Sequence, residues 1–185
     1  MRDEPPSTAF TCDITVLAGD WTGWLASAES IVEEAATAAF GQTPIPPRPN
    51  GAAEVSLVLA DNETVQRLNR EFRGKDAPTN VLSFAGSDAD FPEIPDAPVH
   101  LGDIVLALET LQAEAAAQGK TGAAHLAHLT VHGLLHLLGY DHERGEADAA
   151  AMEALEVRIL AHLGIGDPYA SEQRSEDAAT VGDPA

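Results

Sequence analysis

The sequence predicts one α+β domain, a small four-stranded mixed sheet packed with about five helices. Three observations predict it. Four short segments, 11–17, 53–60, 79–84 and 101–108, are apolar or alternating in the manner of strands. The longer segments between and after them carry apolar residues at helical spacing, and three of these follow the last strand in succession. No internal repeat or linker divides the 185 residues, a length that suits one domain with a proper core.

Residues 1–10 read as a flexible tail, charged and proline-bearing, with no apolar region of the kind a signal peptide needs. The first strand is 11–17. Residues 21–40 read as one helix, with Trp24, Leu25, Ala28, Ile31, Val32 and Ala35 in register and Gly41 as its stop. A proline-rich connection leads to the strand at 53–60. Asp61 is placed to cap a short helix whose apolar face is Val65, Leu68 and Phe72 and which ends near Arg73 and Gly74. Pro78 bars its continuation, and 79–84 is the third strand. A loop rich in Pro and Asp follows at 85–99, then the strand at 101–108. Helices are expected at 109–118, 122–138 and 145–163, the last with a stripe of Met152, Leu155, Ile159 and Leu163. Residues 166–185 read as a disordered acidic tail, leaving 11–165 as the functional domain.

Composition narrows the function. The core must come from Ala, Leu, Val and Ile, because aromatics are few. A net charge of −20 argues against a generic nucleic-acid binder, and DNA is not an expected partner. The basic residues are nonetheless clustered: Arg67, Arg70, Arg73 and Lys75 fall within nine residues. On composition alone, that cluster reads equally well as a solvated helix end. The lone Cys12 permits no disulfide within the chain and fits a reducing cytoplasm. Residues 121–140 contain no Asp, Glu, Lys or Arg, yet they hold His125, His128, His132 and His136, which are costly in hydrocarbon. This segment is expected to be a core helix with a polar stripe, and no membrane partner is expected.

The same helix carries the chemistry. His132 and His136 are four apart, so they stack on one face, one turn from each other. Gly139 can end the helix in a left-handed turn and bring His142 back to the same place. A lone histidine on an apolar face is usually a core residue satisfied by a hydrogen bond. Three at this spacing are expensive without a shared partner, and a metal ion supplies one. Three imidazoles leave a fourth tetrahedral position open, the arrangement of a catalytic zinc, so one zinc ion per chain is expected. His128 and His125 lie upstream on roughly the same stripe, too far along the axis to join that set. For His128 the reading leaves three roles: contact with substrate, support of a ligand from behind, or a plain surface position. His100 and His162 have no constellation around them.

The spacing also matches the metzincin protease pattern H-E-x-x-H-x-x-G-x-x-H, except that the general-base Glu is replaced by Gly133. Glycine cannot accept a proton, which is the main argument against peptide hydrolysis.

Three motifs together resemble the YbeY family of bacterial metal-dependent endoribonucleases. They are Leu68-Asn-Arg-Glu-Phe-Arg73-Gly-Lys-Asp-Ala-Pro78-Thr-Asn-Val-Leu-Ser-Phe84, Gly102-Asp-Ile104, and the run from His125 to His142 that ends L-H-L-L-G-Y-D-H. The resemblance covers about residues 11–165. It implies a zincin-like α+β fold with zinc on His132, His136 and His142, and a functionally important arginine at Arg73. It implies cleavage of single-stranded RNA in ribosomal RNA maturation, notably at the 3′ end of 16S rRNA, and in ribosome quality control. Precursor rRNA, the small ribosomal subunit and its assembly factors are then the expected partners, in the cytoplasm. On the residues' own chemistry, Arg73 suits a bidentate clamp on phosphate, with a surface salt bridge as its plainer role. Arg70 and Lys75 suit flanking phosphates. Asp141 either orients a histidine or caps the turn, and Tyr140 packs. Two alternatives stay open: a zinc metalloprotease-like hydrolase, and a non-catalytic ribosome-assembly factor with a structural zinc.

Overall fold

The structure, a computed structural model, describes residues 10–43, 52–86 and 98–170. Its elements are β1 (Phe10–Val16), α1 (Trp21–Trp24), α2 (Ala28–Gln42), β2 (Ala53–Ala60), α3 (Asn62–Arg73), β3 (Val81–Ala85), β4 (Val99–Ala107), α4 (Leu108–Gln118), α5 (Gly122–Leu137) and α6 (Glu146–His162). The sheet order is β1-β2-β4-β3. β1, β2 and β4 run parallel, and β3 lies antiparallel to β4 at the edge. The expected α+β class and four-stranded mixed sheet are therefore present.

Strand alternation divides the core between the two faces of the sheet. Ala53, Val55, Leu57 and Leu59 of β2 join Leu101, Ile104 and Leu106 of β4 under α2 and α5. Ala60, Val105, Ala107 and Leu82 face the other way, where Val65 of α3 covers them. β4 changes parity between Leu101 and Ile104 because Leu101 and Gly102 together oppose the single residue Val55, a β-bulge. Gly102 has φ +135°, and a Cβ there would overlap the carbonyl oxygen of Phe84. The Gly102-Asp-Ile104 motif is thus the device that returns β4 to the main core after the bulge.

The uncharged segment 121–140 forms α5 and the turn after it. Leu126, Ala127, Leu129, Val131, Leu134 and Leu135 are all buried in the main core. Among the described residues, no helix is long and apolar enough to cross a membrane.

Three expectations are corrected. The helix expected at 21–40 is two helices, with Leu25 in an extended conformation between them. The indole Nε1 of the buried Trp21 donates to the carbonyls of Ala18 and Ala60, at 3.1 and 3.2 Å. That anchors α1 to the end of β2, and α2 starts afresh at Ala28. Gly41 does not stop α2, which continues to Gln42. The ends of the domain also move outward. Phe10 already belongs to β1, and its ring stacks on Phe40 at 4.2 Å. Past Ile165, the chain turns inward, burying Pro168 and bringing Tyr169 to Glu156. An apolar residue at each end outweighs the polar composition of its neighbours. The rest of both tails, most of the connection at 42–51 and most of the loop at 85–99 lie outside the described residues.

Candidate metal centre and its cleft

The C-terminal half of α5 builds the site. Thr121 caps the helix start, its side chain accepting from the Ala124 amide at 3.2 Å. About three and four turns later, His132 and His136 project from one face, with ring centroids 4.6 Å apart. The helix ends as the sequence requires: Gly139 has φ +93°, and the Tyr140 amide donates to the Leu135 carbonyl at 3.0 Å. The returning chain sets the His142 ring 5.2 Å from that of His132 and 5.1 Å from that of His136. One ligand nitrogen from each residue falls within 4.8 Å of the other two.

Hydrogen bonds fix which nitrogens face inward. His132 donates from Nδ1 to Oε1 of Glu156, at 2.7 Å. His136 donates from Nδ1 to the carbonyl of Tyr140, at 3.1 Å. Both protons are thereby assigned to Nδ1, and both Nε2 atoms carry bare lone pairs. Those two Nε2 atoms stand only 3.1 Å apart. Two bare lone pairs at that distance repel, and a shared cation removes the repulsion. The donor set therefore fits a metal ion held by His132, His136 and His142. Burial, and then the neighbouring His132 and His142, lower the pKa of His136 against the opposing pull of the Tyr140 carbonyl and Asp141. That keeps this ligand neutral, as metal binding needs.

The histidines form one wall of a cleft of about 710 Å³. Leu137, Asp141 and Glu143 continue that wall, and the other is Arg73, Lys75, Thr79 and Asn80 together with Val81, Ser83 and Ala85 of β3. Period-two alternation explains the β3 set, since Leu82 and Phe84 point to the opposite face. Arg73 is presented by the last turn of α3, which Gly74 closes with φ +68°. It is exposed and makes no ion pair among the described residues. The residue that sequence reasoning marked as a missing general base, Gly133, is buried: a Cβ there would stand 2.9 Å from Cγ2 of Ile104. The glycine lets α5 lie against the sheet, and no side chain at 133 points into the cleft.

The remaining expected site residues separate. Lys75 lines the cleft beside Arg73. Arg70 does not; it is exposed and pairs with Asp76 at 3.5 Å. Nor does His128 reach the cleft wall, because its Nε2 lies 3.2 Å from Oε2 of Glu156 and its Nδ1 is buried. Of the roles open to it, support from behind fits this position and contact with substrate does not. His125 is buried against Glu114 at 2.8 Å, and Glu114 in turn accepts from Asn80 of the cleft wall at 3.1 Å. Asp141 caps the turn that carries His142, accepting from the Glu143 amide at 2.9 Å and pairing with Arg144 at 3.1 Å. The Glu143 amide, more than the Arg144 charge, lowers its pKa. Tyr140 packs against the core.

The residue that sequence reasoning missed is Glu156. It is fully buried on α6 and touches His132, His128 and Tyr169. Burial raises its pKa, but the hydrogen bonds from His128, His132 and Tyr169 overcome that and hold it at about 2. Its signal was a carboxylate one turn from both Met152 and Ile159, inside an apolar stripe.

A family model described as Endoribonuclease YbeY matches residues 24–164. A protein of Paramagnetospirillum magneticum named Endoribonuclease YbeY is 55% identical over 153 residues, 82% of this chain and 91% of the relative. One of the same name from a Chelativorans species is 47% identical over 174 residues, 92% of this chain and 99% of the relative. Another, from Rhodospirillum rubrum, is 48% identical over 167 residues, 85% and 80% of the two chains. With the family model matching most of the chain and each of these relatives matched over 80% or more of its length, the chain belongs to the YbeY endoribonuclease family.

Proposed function

We propose that this chain is a zinc-dependent endoribonuclease that cuts single-stranded RNA during ribosomal RNA maturation in the cytoplasm. Its substrate on this reading is precursor rRNA at the 3′ end of the 16S molecule, met on the small ribosomal subunit with its assembly factors, with a further part in ribosome quality control. One observation carries the reading: three converging histidine nitrogens and an arginine with no ion pair among the described residues line the same cleft. The relatives' name, Endoribonuclease YbeY, supplies the reaction class.

His132, His136 and His142 would hold the zinc, which when bound supplies Lewis-acid charge to a phosphodiester oxygen. Three imidazoles without cysteine suit zinc. Arg73 binds the non-bridging oxygens through two parallel N–H donors, and its hold strengthens as negative charge builds there. Lys75 neutralises the adjacent phosphate within the cleft. Arg70, outside the cleft, meets a flanking phosphate by giving up its exposed pair with Asp76, a pair worth little in water. Asn80 and Ser83 line the same cleft, held by hydrogen bonds to Glu114 and to the Gly133 carbonyl. The strongly acidic remainder of the chain confines RNA to this basic stretch.

The test is cleavage of matched single- and double-stranded RNA by zinc-loaded protein, with and without chelator. Chelator-sensitive cuts confined to single-stranded RNA are expected. Intact RNA with fully loaded protein, alongside binding to small-subunit precursors, would instead favour the assembly-factor role.

A further inference from the structure

The chain beyond α6 approaches the metal centre from behind, on the side away from the cleft. Its contact is Glu156, a charged residue with no solvent exposure that lies among Met152, Leu155, Ile159 and Leu160. A lone carboxylate in such surroundings is strongly unfavourable, so its partners determine where it sits. Its two oxygens divide the work. Oε1 accepts from Nδ1 of His132 at 2.7 Å. Oε2 accepts the hydroxyl of Tyr169 and faces Nε2 of His128 at 3.2 Å.

The His128 proton can be assigned. Nδ1 is buried with no partner among the described residues, so a proton there would be an orphaned donor, and Nε2 would turn a lone pair on the carboxylate. The proton is therefore on Nε2, facing Oε2. Tyr169 is held in turn. Its ring meets that of His128 edge-on, at 5.5 Å and 86°. Its amide donates to Oδ1 of Asp167 at 2.8 Å, and the preceding Pro168 is buried.

We propose that Tyr169 is a positioning residue for the metal centre. Its hydroxyl pins Oε2 of Glu156, so that Oε1 stays at Nδ1 of His132 and the Nε2 of that ring stays turned toward His136 and His142. The segment Asp167–Ala170 is then a latch that completes the site from outside the cleft. This rests on the three histidines being the metal site.

Groups that orient a ligand from behind are typically worth about 10–100-fold in metal affinity. The experiment measures zinc affinity by competition with a chromophoric chelator, for wild type, Tyr169→Phe, Tyr169→Ala, Glu156→Gln and the Tyr169→Phe/Glu156→Gln pair. Tyr169→Phe keeps the ring and loses only the hydroxyl. It is expected to weaken zinc binding roughly tenfold, with a lower melting temperature of the metal-free protein because a buried carboxylate loses one donor. Glu156→Gln is expected to weaken binding at least as much, and the double variant no further, because the two act in series. Cobalt-loaded Tyr169→Phe is expected to show an altered d–d spectrum. A packing role alone would leave Tyr169→Phe at wild-type affinity and lower only the stability of Tyr169→Ala, and that result overturns the latch. Additive losses in the double variant overturn it as well. Absence of zinc binding in wild type would overturn the metal site itself, so the two failures are told apart.

Discussion

Gly133 of α5 lies so close to Ile104 of β4 that a Cβ would stand 2.9 Å from Cγ2 of Ile104 and 3.1 Å from Oγ of Ser83. The contact lets the helix that carries His132 and His136 lie close against β4 and β3. Replacing Gly133 by Ala sets two effects against each other. Alanine gains about 1 kcal/mol of helix propensity. Overpacking against a branch methyl that cannot swing away costs about 1–3 kcal/mol. Net destabilisation is expected, read as a lower urea midpoint at unchanged m-value. Gly133→Glu, which restores the protease pattern, is expected to destabilise far more and to yield no peptidase. Wild-type stability in either variant would mean that the close approach is not maintained in solution.

Gly102 makes a second prediction through the bulge. Its positive φ and the Phe84 carbonyl both exclude a side chain. Gly102→Ala must therefore disturb the β3–β4 pairing that holds the β3 wall of the cleft in place. A loss on the order of 3 kcal/mol or more is expected, by the same urea titration. A loss under about 1 kcal/mol would show that the bulge relaxes at little cost.

The predictions so far rest on tertiary contacts that sequence patterns do not display. What the sequence did display was local. His132 and His136 were readable because a helix fixes their relation, and His142 because Gly139 announces a reversal. Arg73 and Gly74 were readable as a helix end. The apolar run 53–60, bounded by a turn signal, matched β2 to the residue. Hidden were the relations across the chain. Glu156 is 24 residues from His132, and although its place in the stripe of Met152 and Ile159 marks it as inward-facing, nothing in the sequence says which partner it meets. The break at Leu25 depends on Trp21 reaching Ala60, 39 residues on. Tyr169 sits in a polar, acidic stretch whose composition concealed one inward-facing ring. His128 carried the right residue type on the right stripe, yet its ring turns toward α6.

Arg73 is exposed and unpaired among the described residues, so its removal touches no packing. Arg73→Ala is expected to keep the wild-type melting temperature and zinc content. RNA cleavage should fall by about 100–1,000-fold in kcat, the usual cost of removing a preorganised donor to developing charge. Arg73→Lys keeps the charge but loses the fork, and an intermediate loss is expected. Unchanged cleavage by Arg73→Ala would remove the clamp from the mechanism.

His125 predicts an acid-sensitive fold. It is buried, and that burial lowers its pKa below 6.5 against the opposing pull of Glu114, with His128 and Lys120 adding to the depression. Below pH 6.5 the unfolded chain binds a proton that the folded chain resists. Stability contributed above 6.5 is therefore lost as pH falls through the folded value. In the presence of chelator, wild-type stability should drop across this window, and His125→Asn should drop less steeply. Equal slopes for the two would exclude His125 as the source.

Metal removal separates a catalytic site from a structural one. The ligands come from the end of α5 and the turn after it, while the main core lies between the sheet and the buried faces of α2, α5 and α6. None of that apolar packing passes through the ligand nitrogens. Chelation returns the Nε2 atoms of His132 and His136 to facing each other as bare lone pairs at 3.1 Å, a strain that the exposed turn around His142 can relieve by moving. Loss of zinc is therefore expected to raise hydrogen exchange at residues 136–145 and to leave β2 and β4 protected, with one cooperative unfolding transition retained. A structural zinc behaves otherwise, since its binding energy is folding energy and its removal melts the helices it joins. Exchange of α5 and α6 along their whole length on chelation would move the site to that class.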